Sequence, residues 1–341
     1  MTSEEALRPA PDAADGMRVR GEVVKLDRGF PLVAAEDGQL YRCKHATALV
    51  KGDMHRAVIG DRVVAVVAAD RDIAQIEEIL PRRTQLVRRD PAERTVAQVM
   101  AANFDIVAIA QPVVDLNLHR LERELVLAYE TGAEIAIVLT KADLAESADQ
   151  VDALCETVAG MAGSVPVFLV APDYPEGVEA FRSFVGNRTA VLVGKSGVGK
   201  SSLVNLLVGS EVQATTPVRE TDGKGRHTTV SREVVALPGG GRVVDMPGVR
   251  GLGLWDARRG IAAAFADVDE LAAHCRFRDC AHRDEPGCEV RAAVERGALA
   301  PERLDAYLHL TDEYETNLKR REVAQRKRER RGHPRRRKGD A

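Results

Sequence analysis

Eight residues constrain this 341-residue chain more than any others. Gly194-Lys195-Ser196-Gly197-Val198-Gly199-Lys200-Ser201 fits the pattern G-x-x-x-x-G-K-[ST], and Ser202 follows it. An apolar run at 190–193 precedes the motif and a helical run at 203–207 follows it. Strand, glycine-rich turn and helix in that order make a phosphate loop. The glycines let backbone N–H groups turn inward, and the helix start adds partial positive charge. In such a loop Lys200 is expected to reach the β- and γ-phosphates of a nucleotide, and the Ser201 hydroxyl to coordinate Mg2+.

The sequence around the motif agrees with that context. Strand-like runs at 106–110, 134–140, 166–171 and 189–193 alternate with helical patterns at 116–130, 145–161 and 177–184. Alternation of this kind implies a parallel sheet with crossover helices. Two more strands, 231–237 and 242–245, are joined by Gly239-Gly240-Gly241 as a hairpin.

A phosphate loop alone does not choose a base. Thr140-Lys141-Ala142-Asp143 closes the run 134–140 and resembles the N-K-x-D motif of GTPases, with Thr140 in the place of Asn. The Asp carboxylate of that motif accepts from guanine N1–H and the 2-amino group, donors that adenine lacks. Asp245-Met246-Pro247-Gly248 resembles the D-x-x-G switch motif. Asp245 is expected to hold Mg2+ through water, and the Gly248 N–H to sense the γ-phosphate. The polar, glycine-rich stretch 223–229 reads as a mobile switch loop in which Thr228 or Thr229 can supply a second Mg2+ ligand.

In ordinary GTPases the base motif follows the switches; here it precedes the phosphate loop by about fifty residues. The order is circularly permuted. That is physically tolerable, because the site needs these loops to converge on one edge of a sheet and does not depend on their order in the chain.

Outside this core, short strands at 19–26, 30–35, 40–44, 62–69 and 73–79 are separated by turn signals and suggest a small barrel of the OB type, although an SH3-like barrel would read the same way. Residues 17–80 hold ten Lys/Arg and ten Asp/Glu, with Phe30 and Tyr41 the aromatics, which is no basic stacking platform for nucleic acid. Pro81-Arg82-Arg83 looks like a linker. The acidic, Pro/Ala-rich residues 1–16 read as a disordered tail without the character of a signal peptide, and no apolar run reaches membrane-spanning length. A cytoplasmic, monomeric protein is the expectation.

Five cysteines argue against a disulfide framework. Cys43 and Cys155 sit in strand and helix contexts and read as core. The others form Cys275-x4-Cys280-x-His282-x5-Cys288, three thiols and an imidazole close together, the donor set of a closed, structural Zn2+ site. A helical pattern, Ile261, Phe265, Val268 and Leu271, precedes the cluster, and a long helix at 301–331 follows it. Residues 319–338 carry twelve Lys/Arg against two Glu, a net +10, which leaves −13 for the rest of a chain whose total is −3. A basic end on an acidic body suggests a polyanionic partner; the alternative is a solvated tail.

These residues together resemble the RsgA (YjeQ) family of ribosome small-subunit-dependent GTPases. The resemblance covers roughly 17–318. It is carried by Pro81-Arg82-Arg83-Thr84, Leu121-Glu122-Arg123, the run 194–202, His227-Thr228-Thr229, the run 245–255 and the Cys/His cluster. It implies a multidomain chain: a tail 1–16, an OB-fold domain 17–80, a circularly permuted α/β P-loop GTPase domain 81–256, an α-helical zinc-binding domain 257–318 and a basic tail 319–341. It also implies late maturation of the small ribosomal subunit, contact with its rRNA, and GTP hydrolysis stimulated by that subunit. Ala171-Pro172 departs from the small polar residue usual near the guanine carbonyl. His227 maps onto the family's candidate for positioning the attacking water; Val249, after the switch Gly, is apolar and cannot. The competing readings are an RNA-binding assembly factor whose hydrolysis is incidental, and a P-loop kinase of a small molecule.

Overall fold

The computed structural model describes residues 16–27, 30–51, 56–68, 72–89, 97–211, 232–246 and 254–332. Residues 1–15, His227, Thr228, Thr229, Gly248 and the chain beyond Gly332 lie outside them. The chain forms two compact units, Met1–Arg83 with Arg226–Val234, and Thr84–Gly225 with Val235–Ala341.

In the first unit, β1 (Gly16–Asp27), β2 (Phe30–Ala35), β3 (Leu40–His45), a short helix α1 (Thr47–Lys51), β4 (Arg62–Ala68) and β5 (Ala74–Ile79) close into a five-stranded barrel. The long β1 pairs antiparallel with both β2 and β4, β2 pairs with β3, β4 with β5, and a parallel β3–β5 pairing seals the barrel. A bulge between Val23 and Lys25 bends β1, and a Cβ at Gly21 would strike the Ala34 carbonyl oxygen at 2.5 Å, so glycine permits the approach. Alternate residues Val19, Val23, Val33, Cys43, Val63, Ala65 and Ile76 fill the interior. The closure and the helix between β3 and β4 settle the barrel as OB-like. Arg82 is no free linker residue: it donates to both oxygens of the fully buried Asp61 at 2.7 and 2.8 Å.

The second unit opens with a hairpin absent from the sequence expectations, β6 (Gln85–Arg89) and β7 (Ala97–Ala102). Its first strand has only two apolar residues, Leu86 and Val87, before Arg88, which is bonded to Gln98 of the second. There follow β8 (Ile106–Pro112), α2 (Leu118–Thr131), β9 (Glu134–Thr140), α3 (Ala148–Ala162), β10 (Val167–Leu169), α4 (Pro175–Val185), β11 (Thr189–Val193) and α5 (Lys200–Val208), then β12 (Arg232–Ala236), whose first three residues belong to the first unit, and β13 (Arg242–Asp245). Strands β10-β9-β8-β11-β13 lie side by side, all parallel. Continuous burial along β8, β9 and β11 explains their unbroken apolar sequences. Ile106, Ala108, Val138 and Leu192 pack on Phe181 of α4 and Leu203 and Leu207 of α5.

Asn117 caps α2, its side chain accepting from the Arg120 N–H at 2.9 Å, and Gly132 ends it with φ of 72°. The expected helix 145–161 begins only at Ala148, because Ala142–Leu144 form a 3-10 turn and Ser147 supplies the cap. After the sheet come α6 (Arg258–Ala264), α7 (Ala266–Ala272), α8 (Glu289–Glu295) and α9 (Pro301–Gly332). The spacing of Ile261, Phe265 and Val268 is helical, but the helix breaks at Phe265, which ends α6 and caps α7. Residues 319–332 continue α9. Among the described residues no helix is long and apolar enough to cross a membrane.

Candidate nucleotide site and Cys/His cluster

Parallel pairing brings the chemistry to one edge. Thr140 ends β9 beside Pro112 of β8, Val193 ends β11 beside Ile109 of β8, and Asp245 ends β13 beside Leu192 of β11. The phosphate loop leaves β11 at Gly194 and enters α5 at Lys200. Gly194, Gly197 and Gly199 have φ of 146°, 84° and 100°, a backbone that other residues resist. A Cβ at Gly194 would also lie 2.6 Å from the Ala110 carbonyl oxygen, and one at Gly199 3.3 Å from Thr140 Oγ1.

Lys200 is buried, and its Nζ donates to the carbonyl oxygens of Gly194 at 2.8 Å and Lys195 at 3.0 Å, which holds the ammonium inside the loop. Burial lowers its pKa from the usual 10.5, while the charges of Asp245 and Glu124 pull it back up. Asp245 is buried too, and burial raises its pKa against the opposing effects of Lys200 and Ser201. Its Oδ2 accepts from Ser201 Oγ at 3.5 Å, while its buried Oδ1 finds no hydrogen-bond partner among the described residues. A buried carboxylate oxygen without a donor, next to a serine hydroxyl, fits a hydrated divalent cation, so Ser201 and Asp245 are the residues that would hold Mg2+.

The base motif abuts the phosphate loop. Thr140 is buried, and its hydroxyl donates to the Val198 carbonyl oxygen at 2.5 Å, with the Gln111 carbonyl oxygen 3.2 Å away. Threonine in the place of asparagine therefore still ties the two motifs together. Lys141 adopts the left-handed conformation, φ 59°, and starts the 3-10 turn that carries Ala142 and the exposed Asp143. A cavity of about 580 Å3 opens here, walled by Thr140, Lys141, Asp143, Gly199, Ser202 and Leu206, with Ala171 and Pro172 also on its lining. Its size and mixed apolar and polar wall suit a nucleoside.

In the same unit, the Sγ atoms of Cys275, Cys280 and Cys288 and a ring nitrogen of His282 all lie within 4.8 Å of one another. His282 Nδ1 is 3.6 Å from Cys275 Sγ and 3.5 Å from Cys288 Sγ. Tetrahedral Zn2+, with bonds of about 2.0–2.3 Å, places its ligand atoms at roughly such separations. Burial lowers the His282 pKa below 6.5, which leaves a neutral imidazole with a lone pair to give. His282 holds φ of 59°, an unusual conformation that its surroundings must enforce. The donor set fits a metal. Its ring is 6.0 Å from that of Tyr307 on α9, which in turn packs edge-on against Phe265. No described cysteine is in a disulfide; Cys43 is buried in the barrel and Cys155 half-buried in α3.

A sequence model described as RsgA GTPase matches residues 79–255, and one described as a 50S ribosome-binding GTPase matches 189–335. The small ribosomal subunit biogenesis GTPase RsgA of Streptomyces avermitilis is 42% identical over 305 residues, 89% of this chain and 81% of its own. The chain belongs to the RsgA GTPase family. Its counterpart in Methanosarcina acetivorans is 40% identical over 268 residues, covering 78% of this chain and 72% of its own. Among solved structures, YjeQ from Thermotoga maritima superposes with a TM-score of 0.62 at 27% identity, over 87% of this chain and 99% of that one. YloQ, described as a circularly permuted GTPase, shares the fold with a TM-score of 0.60 at 24% identity, over 90% of this chain and 98% of its own.

The structure thus gathers Thr140, Lys141, Asp143, Gly194–Ser202 and Asp245 at one sheet edge, and Cys275, Cys280, His282 and Cys288 at a second centre. What residue reading missed lies behind the phosphate loop: Gln111 and Glu124, both buried. A signal was present, since Glu124 interrupts the apolar face of Leu121, Leu125 and Ala128, four residues after Arg120.

Proposed function

We propose that this chain hydrolyses GTP to GDP and phosphate, and that it does so in late maturation of the small ribosomal subunit, stimulated by that subunit and in contact with its rRNA. The observation that carries the reading is the convergence of the phosphate loop, the Thr140–Asp143 motif and Asp245 on one parallel edge. Membership of the RsgA GTPase family and the ribosome biogenesis names of relatives over 40% identical support the same reading.

Each residue then has a role. Asp143 selects guanine by accepting from two donors, with the Lys141 stem along the base. The loop N–H groups and Lys200 hold the β- and γ-phosphates, so that charge developing on transfer is met by fixed positive groups. Ser201, Asp245 and one of Thr228 or Thr229 hold Mg2+, which neutralises phosphate charge when bound. Gly248 senses the γ-phosphate. Val249 cannot orient water, and His227 is the residue we assign to that task. At the second centre, Cys275, Cys280, His282 and Cys288 hold one Zn2+ in a structural role. The chain acts as a monomer in the cytoplasm, where its ribosomal partner is assembled.

GTP hydrolysis measured with and without purified small subunits tests the proposal. Stimulation by small subunits supports it; activity that ignores them defeats the ribosomal part. The basic run on α9 favours a second reading, an RNA-binding assembly factor with incidental hydrolysis. Lys200→Ala separates the two: if release from the subunit depends on hydrolysis, the variant binds and stays bound, and if hydrolysis is incidental it releases normally.

A further inference from the structure

Behind the phosphate loop runs a chain of buried polar contacts that no part of the mechanism above uses. Glu124, 1% exposed, sits on α2 between Leu121 and Leu125. Its Oε1 accepts from Arg120 Nε at 3.0 Å and its Oε2 from Gln111 Nε2 at 2.6 Å. Gln111 lies near the carboxyl end of β8, between β9 and β11. Its carbonyl oxygen is one of the two that the Thr140 hydroxyl faces, the other being Val198 of the phosphate loop. The residue before it, Ala110, has the carbonyl oxygen on which Gly194 rests. The end of β8 therefore touches the phosphate loop near its start and, through Thr140, near its close.

A buried carboxylate is an expensive way to fill space, because an apolar side chain of similar volume packs there without a desolvation penalty. Glu122 and Arg123, next to it on α2, turn instead toward the carboxyl-terminal helices, Glu122 to Arg303 and Arg123 to Glu313. Arg120 and Glu124, one turn apart, meet on the side of Gln111. The Glu124 charge also reaches Lys200, which places it within electrostatic range of the phosphate-binding ammonium.

We propose that Glu124 is a positioning residue of the nucleotide site: by fixing the Gln111 side chain it holds the end of β8, and with it the Thr140–Val198 tie that sets the phosphate loop. This rests on the reading that the loop binds GTP. Arg120, 3.0 Å from Oε1, keeps the carboxyl group aimed, and the network does from behind what a longer polar side chain at position 140 could do directly.

The test is a double-mutant cycle on GTP affinity in the full chain, read by titration with a fluorescent GTP analogue, with the melting temperature of the nucleotide-free protein recorded alongside. Glu124→Leu removes the acceptor, and at least tenfold weaker GTP binding is expected. Glu124→Gln keeps an acceptor for Arg120 and, after an amide flip, a bond to Gln111; it recovers most of that loss. Thr140→Val cuts the same chain at its other end, so the double variant with Glu124→Leu should bind no worse than the weaker single variant, since coupled residues do not add. Should Glu124→Leu fail to fold, the pair Gln111→Leu and Glu124→Leu, apolar on both sides, takes its place in the cycle. GTP affinity within threefold of wild type in the leucine variant, or losses that multiply in the double variant, overturns the role of Glu124. A wild-type chain that binds no guanine nucleotide instead overturns the GTPase reading beneath it.

Discussion

The guanidinium of Arg321 lies 4.1 Å from the centroid of the Trp255 ring and donates to the Trp255 carbonyl oxygen at 2.8 Å. Trp255 stands ten positions after Asp245, so the helix that carries the basic run holds the chain just beyond the switch motif. Two more residues of α9 share the grip: Asn317 Nδ2 donates to the Leu254 carbonyl oxygen and Tyr314 OH to Asp256 Oδ1, each at 3.3 Å. In an unpermuted GTPase this switch lies mid-domain. Here only some 25 residues separate Gly248 from the Cys/His cluster, and α9 clasps the chain at 254–256 between them.

The first prediction concerns that clasp. Arg321→Ala removes a stacked cation and a charge-assisted hydrogen bond, together on the order of 1–3 kcal/mol of local stability. Hydrogen exchange at residues 254–257 should quicken while β11 stays protected. If the clasp transmits the nucleotide state, the ratio of small-subunit affinities with a non-hydrolysable GTP analogue and with GDP should fall toward one. An unchanged ratio would mean that α9 does not read the switch.

Metal content is the next prediction. One Zn2+ per chain is expected, and Cys288→Ser should lose it. Structural zinc in small domains contributes about 10–16 kcal/mol of apparent binding free energy. The variant should therefore expose α7 and α8 to proteolysis while guanine-nucleotide binding persists. Metal analysis of the purified wild type that finds no zinc ends the idea.

Base choice gives a third. Asp143→Asn exchanges an acceptor for a donor on the cavity wall, so affinity should move from guanine toward xanthine nucleotides. Wild-type GTP should be preferred over ATP by at least ~10^2, the lower range of discrimination by hydrogen bonding. Equal titration curves for ATP and GTP would refute the assignment.

How much of this could be read beforehand depends on whether a feature is local. The phosphate loop is legible because three glycines, a lysine and a serine must fall at fixed spacing within eight residues to surround phosphates. The Cys/His centre is legible for the same reason. The hairpin of β6 and β7 is not, because β6 offers only Leu86 and Val87 as an apolar run and the Arg88–Gln98 pairing needs both strands in place. The Arg82 clasp on Asp61 joins residues 21 positions apart, and the Gln111–Glu124 bond needs a strand and a helix already folded. Periodicity shows that Glu124 lies on a buried face, but only tertiary contact shows what it faces there.

The fourth prediction tests how the carboxyl-terminal helices dock. A Cβ at Gly260 would fall 2.1 Å from the Val126 carbonyl oxygen, and the Gly260 N–H donates to Glu130. Arg259 adds bonds to the carbonyl oxygens of Tyr129 and Glu130 that end α2. Gly260→Ala must push α6 away from α2, and overpacking of this kind destabilises by roughly 1–3 kcal/mol. Chemical denaturation should show it; a loss below ~0.5 kcal/mol, the range of an ordinary surface change, would mean the two helices separate freely.

The last prediction uses pH to isolate Glu124. Burial raises its carboxyl pKa above the ordinary 4.5, against the pull of Arg120, Gln111 and Lys200. A carboxyl with a raised folded pKa holds its proton more tightly when folded, so its contribution to stability is full below the unfolded pKa of about 4.3 and is lost as pH rises through the folded pKa. Glu122 and Glu130 are shifted in the same direction by burial, so the wild-type profile is a composite. Glu124→Gln removes one component and leaves the others. The unfolding free energy of Glu124→Gln minus that of wild type should therefore climb as pH rises from the unfolded pKa through the folded one, by roughly 1.4 kcal/mol for each unit by which the folded pKa exceeds the unfolded one. Urea denaturation of both proteins from about pH 4.3 upward measures it. A difference that stays flat would mean Glu124 keeps an ordinary pKa, and one that falls with pH would mean Arg120 and Lys200 outweigh burial and stabilise the ionised form.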